Sequence, residues 1–467
     1  YRKNPASSPS QTLNNFPDYF PDYFPDLDNS TRNNLNSPPT MCNHIYTANY
    51  AKMPQGMGRQ CPYPEFYKEA QATALTAPNV KPVRPLPVDD SGKCIFHSKE
   101  VAWKRNNDFE GHFLQLVQLL NADKAVKFYD FAEFVFVGSE HLKLGHSEHL
   151  HILDITFLKQ AFFTGVSFLD SIALERVDFK GGADFVHATF AHDLRITNVR
   201  FCGLNFSNAT ARQLALFTKV EFLSYALFER AQFTGVTSGY VVKFEDSRFE
   251  GITDFSGVEF VIGDESTVGF QKVRFEDSTD FGKARFHGQA IFSDVSFAGA
   301  TDFIDTSFEM ITSSARYRGA AVEFNQIEVT AKAVLTFRST DPQNKIFNHD
   351  VQMSFKEIPT GIIRFENVNF NKIVTESRNR LSQLAKSGRV EIGSGCIKYR
   401  FQTEVRKLSV SQGNAPLIIE LCQTFTNYFT ASNGLNLGFE ILEPRSKTEI
   451  CFFYFTDENI SEATFLD

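Results

Sequence analysis

The chain has 467 residues, of which 42% are hydrophobic and 22% charged, with a net charge of −8 and a pI near 5.8. That composition is ordinary for a globular protein of roughly two to four domains. The acidic balance argues against a general nucleic-acid-binding surface, which needs clustered Lys and Arg. No apolar run reaches the ~20 residues of a membrane span.

Residues 1–90 are rich in Pro, Asn, Ser and Tyr and carry no sustained hydrophobic period. They include a tandem repeat, Phe16-Pro17-Asp18-Tyr19, Phe20-Pro21-Asp22-Tyr23 and Phe24-Pro25-Asp26-Leu27. Proline at every fourth position forbids a helix and favours extended backbone. Phe16, Tyr19, Phe20, Tyr23 and Phe24 are the candidate partner-binding residues, because aromatics bury large areas with few rotors. Their expected dock is a neighbouring copy or a partner protein, in a head-to-tail contact that builds a ring or filament.

Residues 91–154 read as a cap. Phe109, Phe113, Leu114, Val117, Leu119 and Leu120 recur at helical spacing, with Asn107 or Asp108 as the N-cap. Phe128, Phe131, Phe134 and Phe136 then have the texture of strands.

From 155 to 327 aromatics recur in steps of five and six. The clearest run is Phe270, Phe275, Phe281, Phe286, Phe292, Phe297, Phe303 and Phe308. The same spacing explains a census of 50 Phe against 5 Met and 1 Trp. A small or β-branched residue often stands two places earlier, as in Val166/Phe168, Val177/Phe179, Val273/Phe275 and Ala284/Phe286. Neither a helical nor a strand period accounts for this spacing. A chain that turns a corner every five or six residues does, with one large residue facing inward on each side. Four sides use about 22 residues, so the segment predicts about eight coils, stacked ~4.8 Å apart.

The stretch Phe281-Gly-Lys-Ala-Arg-Phe286-His-Gly-Gln-Ala-Ile-Phe292-Ser-Asp-Val-Ser-Phe297 resembles the Phe-centred branch of the pentapeptide repeat family. The resemblance implies a mainly β fold, a right-handed quadrilateral β-helix with Phe stacked along its axis. Six-residue sides and interruptions near 210–216, 237–241 and 262–268 depart from the family pattern and predict bulges or loops.

Residues 328–370 read as a connecting β segment, and 371–467 as a small C-terminal α/β domain. There, 374–387 predicts a helix ended by Gly388, and 414–430 a second helix. Residues 435–442 and 448–455 predict a hairpin joined through Pro444.

Four constellations of side chains bear on chemistry. Glu140, His141, His146, Glu148, His149 and His151 crowd one short stretch but lack a helical HExxH, so a solvated loop is favoured over a metal site. Cys94-Ile-Phe-His97 has the spacing of half a zinc site, with Cys42, His44 and Cys61 the nearest further donors. A buried cysteine beside a satisfied histidine is the favoured account. Gly393-Ser394-Gly395-Cys396 lacks the Lys of a phosphate-binding loop and reads as a turn. Scattered Ser, His and Asp nominate no catalytic triad. No catalytic, cofactor or metal residue is therefore assigned.

The seven cysteines, Cys42, Cys61, Cys94, Cys202, Cys396, Cys422 and Cys451, are odd in number and form no CxxC pair. They read as reduced thiols, which favours a cytoplasmic location over a disulfide framework. The expected function is a non-enzymatic scaffold or assembly subunit that binds protein partners and requires no cofactor. The rival readings are a regulatory or conflict-type protein whose C-terminal domain binds a ligand, and a gyrase-binding DNA mimic.

Overall fold

The structure is a computed structural model. It describes residues 42–46, 60–76, 83–144, 147–235, 239–261, 266–309, 320–341 and 346–393, together with the backbone of two strands, Leu437–Ile441 and Cys451–Phe455. The FPDY repeat and the helix expected over 414–430 lie outside the described residues.

The aromatic rhythm folds into a four-sided parallel β-solenoid of about eight turns, as the Phe spacing predicts. One side is an eight-stranded parallel ladder running from Val135–Phe136 to Ser307–Glu309. The other three sides join in a 26-stranded sheet. Each side stacks one inward residue directly over its counterpart in the next coil. Phe157, Phe179, Phe201, Phe222, Phe249, Phe275 and Phe297 are register partners on the first side. Phe163, Phe185, Phe206, Phe228, Phe255, Phe281 and Phe303 are buried in successive coils of the second side. The third carries Phe136, Phe168, Phe190, Ala211, Phe233, Phe260, Phe286 and Phe308. The fourth runs from Ile152, Leu174 and Ile196 to Phe217, Phe244, Phe270, Phe292 and Phe324.

Rings within a side lie flat on one another, as for Phe281 and Phe303 at 4.7 Å and 4°. Rings of facing sides meet edge to face, as for Phe281 and Phe292 at 5.8 Å and 87°. Both are the geometries that the ring quadrupole favours. The small residues two places earlier, Val166, Val177, Val273 and Ala284, also point inward and are buried.

The alternation of five and six has a backbone cause. Every five-residue step but Phe201 to Phe206 contains one residue in the left-handed region, and the six-residue steps between neighbouring Phe do not need one. Arg176, Asn198, Lys219, Asp246, Lys272 and Asp294 mark the corner before the first side. His187, Asn208, Arg230 and Lys283 mark the diagonal corner, where Gly165 and Gly257 take the same conformation without a Cβ penalty. Left-handed backbone reverses the chain within one residue and still aims its N–H at the next coil. Lys272 donates to the Ser293 carbonyl at 2.8 Å and Lys283 to that of Ile304 at 2.8 Å. The ladder therefore continues through the corner.

Parallel pairing passes both expected boundaries of the repeat segment. It begins at Phe128–Asp130, which pairs with Gln160–Phe162, and ends where Ile363–Phe365 pairs with Val390–Ile392. The last coils use Val, Ile and Leu in place of many Phe, which hides them from a Phe-based reading. The helix over Thr375–Lys386 forms as predicted and Gly388 follows it at φ 72°. It packs on the rod through Leu381 and Leu384, while its Ser377 hydroxyl accepts from the Met353 N–H at 2.9 Å. Leu437–Ile441 and Cys451–Phe455 pair as the antiparallel hairpin the sequence predicts.

At the other end the described residues form three helices, α1 (Tyr63–Thr76), α2 (Val101–Asn106) and α3 (Phe109–Ala122). The first falls within the segment expected to be an extended tail. In α3 the Asp108 carboxylate caps the helix, accepting from Gly111 N–H at 3.1 Å. Its buried Phe109 and Phe113 sit against Phe136 of the first coil at 5.4 and 5.0 Å. The open end of the sheet is thereby covered.

Candidate functional site

Beside this cap, three separate segments converge. Residues 42–46 and 60–61 meet through an antiparallel bridge between Ile45 and Gln60, and Val88 pairs with Cys94 in the same way. Asn43 N–H donates to the Gly92 carbonyl at 2.8 Å. Gly92 is left-handed at φ 79°, and a Cβ there would stand 2.8 Å from the Asn43 amide nitrogen. The tight turn Cys94–His97 closes with His97 N–H donating to the Cys94 carbonyl at 2.9 Å.

These turns bring Cys42, Cys61, Cys94 and His97 together, all buried, with their donor atoms within 4.8 Å of one another. Cys61 Sγ lies 3.8 Å from Cys94 Sγ, and His97 Nδ1 lies 3.3 Å from Cys94 Sγ and 3.9 Å from Cys42 Sγ. The Cys94 N–H donates to Cys42 Sγ at 3.1 Å. Burial pushes the Cys61 thiol up and the Cys94 thiol up to about 12. Hydrogen bonds from Cys61 and Cys94 hold the Cys42 thiol well below its usual range, and burial takes His97 down to about 4. His44 does not join the donors. It stacks on His97 at 3.9 Å and its Nε2 lies 3.1 Å from Glu133.

Lys104 of α2 is fully buried nearby, donating to the carbonyls of Phe96, at 3.3 Å, and Val135. Burial lowers its ammonium well below the usual lysine range. Asp130, also buried, is raised to about 7 by loss of water.

All four members of the cluster stand out in the sequence, where an isolated buried thiol beside a satisfied histidine is the expected account. The geometry brings the two earlier cysteines to the Cys94–His97 pair, so the thiol is not isolated. The signal was a C-x-x-H with two single cysteines upstream. The other histidine-rich stretch forms the hairpin strands Ser139–Leu144 and Ser147–Leu153. His149 there is buried, and His151 stands 3.3 Å from Glu175 on the next coil. His146 lies outside the described residues, as do Ser394, Gly395, Cys396 and the five tail aromatics Phe16, Tyr19, Phe20, Tyr23 and Phe24.

On the rod itself, the corner before the first side forms a groove of about 610 Å³. Lys219, Arg248, Lys272 and Arg274 line it, interleaved with Asp246 and Asp294. Charges also pair from coil to coil, Arg200 with Glu221 at 3.0 Å and Arg248 with Glu276 at 3.2 Å.

Residues 265–307 match the family model described as pentapeptide repeats (9 copies). With the four-sided Phe-filled solenoid, this makes the chain a pentapeptide repeat protein. No curated protein and no solved structure matches it. Among the described residues no helix is long and apolar enough to cross a membrane.

Proposed function

We propose that the protein is a non-enzymatic scaffold whose rod holds protein partners along its outer faces. The observation that carries this reading is the interior, where buried Phe rings stack from Phe157 to Phe337. Packed rings fill the axis, so recognition is left to flat, repetitive sides, which suit extended protein contacts better than an enclosed chemical site. The groove of alternating Lys, Arg and Asp complements a polypeptide of mixed charge. A phosphate backbone would call for uniform basic charge, and a DNA mimic for uniform acidic charge.

The N-terminal aromatics Phe16, Tyr19, Phe20, Tyr23 and Phe24 supply the assembly contact in this reading, plugging onto a neighbouring copy. Deleting residues 1–40 and measuring mass by light scattering tests it. The full chain is expected to run as an oligomer and the truncated chain as a smaller species. Identical masses rule the tail out as the assembly element.

A further inference from the structure

We propose that Cys42, Cys61, Cys94 and His97 hold one zinc ion, which staples the N-terminal segment and α1 to the end of the rod. Three thiols and an imidazole are the soft donor set of a structural Cys₃His site. A tetrahedral zinc with sulfur at ~2.3 Å and nitrogen at ~2.0 Å spaces its ligands about 3.5–3.8 Å apart. The separations of 3.8 Å between sulfurs and of 3.3 and 3.9 Å between nitrogen and sulfur bracket that range. The Cys61–Cys94 sulfur separation is far longer than the ~2.05 Å of a disulfide.

The surroundings fit a charged centre. The Cys94 N–H aimed at Cys42 Sγ is the donor that a metal-bound thiolate accepts from. Three thiolates around a dication leave one net negative charge. Lys104, whose Nζ meets the carbonyl of Phe96 between two of the ligands, lies in the same buried region, where a net negative centre would favour its charged form over the neutral one that burial alone favours. Around the cluster, Tyr46, Tyr63 and Tyr67 are the large side chains the N-terminal segment buries, a small core of the kind that a metal completes. The ion also closes long loops, since 33 residues separate Cys61 from Cys94 and 52 separate Cys42 from Cys94.

The test uses the full chain, purified without chelator and analysed for zinc and iron together. The expected result is about one zinc per chain that survives gel filtration, and a cobalt-exchanged form with the visible bands of tetrahedral thiolate ligation. Cys61→Ser and His97→Ala should each lose the metal, while Cys202→Ser, at an exposed thiol on the rod, should keep it. Stripping the zinc should open α1 to protease while the solenoid stays resistant. If the ligand variants do not fold, metal content and the cobalt spectrum of the unmodified chain decide. A metal-free protein in which the thiols of Cys42, Cys61 and Cys94 all titrate, a Cys61–Cys94 disulfide, octahedral cobalt bands from an adventitious ion, or zinc retained in Cys61→Ser would each overturn the proposal.

Discussion

At Ala211 the third side lacks its ring, and the neighbouring side makes up the difference. Phe206 belongs to the second side, yet it lies parallel to Phe190 at 15° and Phe233 at 8°, both members of the third. Against Phe185 and Phe228 in its own column it is tilted by 48° and 46°. One ring therefore serves two columns at this level. A regular position sets the reference, since Phe286→Ala should cost ~3–5 kcal/mol because a cavity adds to lost transfer energy. Phe206→Ala should cost at least as much, and Ala211→Phe ~1–3 kcal/mol from overpacking. The double variant conserves volume and should be clearly more stable than the sum of the two costs predicts. Strict additivity in chemical unfolding would show that the two sites do not share a space.

The carboxylates beside the second side carry a different message at the same scale. Asp184, Asn205, Asp254 and Asp280 each accept the N–H two residues on, at 2.9, 3.1, 2.7 and 2.6 Å. Asp254, Asp280 and Asp302 stack in register. Burial first, and then the charges of Asp254 and Asp302, raise the Asp280 carboxyl above its usual range. A carboxyl that binds its proton more tightly when folded stabilises the fold at low pH. That contribution disappears as pH rises from the ordinary value near ~4 through the raised one. Asp280→Asn keeps the acceptor, as Asn205 does naturally, and removes the charge. It should melt higher than the parent at pH 7, with the gain shrinking at pH 4. A gain independent of pH would assign the effect to something other than ionisation.

At the scale of the element, the coil is defined by its corners as much as by its rings. A non-glycine residue in left-handed backbone costs roughly 1–2 kcal/mol, and Asn and Asp tolerate it best. Stacking of the ladder above and below holds Lys272 and Lys283 there regardless. At exposed Lys283, φ 57°, replacement by Glu should change little, Gly should be neutral or stabilising by up to ~1 kcal/mol, and Val should destabilise. Thermal unfolding of the three variants checks the order. A Val variant as stable as the Gly variant would mean that this corner is not conformationally constrained.

For the whole molecule, the two ends decide whether a parallel solenoid stays a single rod. Each exposed end offers a row of unpaired backbone groups. One is covered by α3. The other carries the Val390–Ile392 strand and the helix Thr375–Lys386, so these elements are part of the rod's packing. Removing residues 371–467 uncovers Ile362–Glu366 together with Phe365, which is fully buried. The truncated chain should associate through that edge and melt lower. A monodisperse truncation with unchanged melting would show that the last coil needs no cover.

The solenoid was legible in the sequence because its determinants are local. Phe at every fifth or sixth position specifies both the turn of the chain and the face it buries, and each coil repeats the instruction. The helix before Gly388 and the Asp108 cap were legible for the same reason. Tertiary structure alone decided three things. It extended the rod to 128, where Phe remain but depart from the regular spacing, and to 392, where Ile, Val and Leu replace many Phe, while backbone pairing with an ordered neighbour persists at both ends. It tilted Phe206 into the space beside Ala211, which depends on contacts between coils. And it joined Cys42, Cys61, Cys94 and His97, because a centre assembled from distant segments has no period, and only loop closure over the finished cap brings its donors within 4.8 Å.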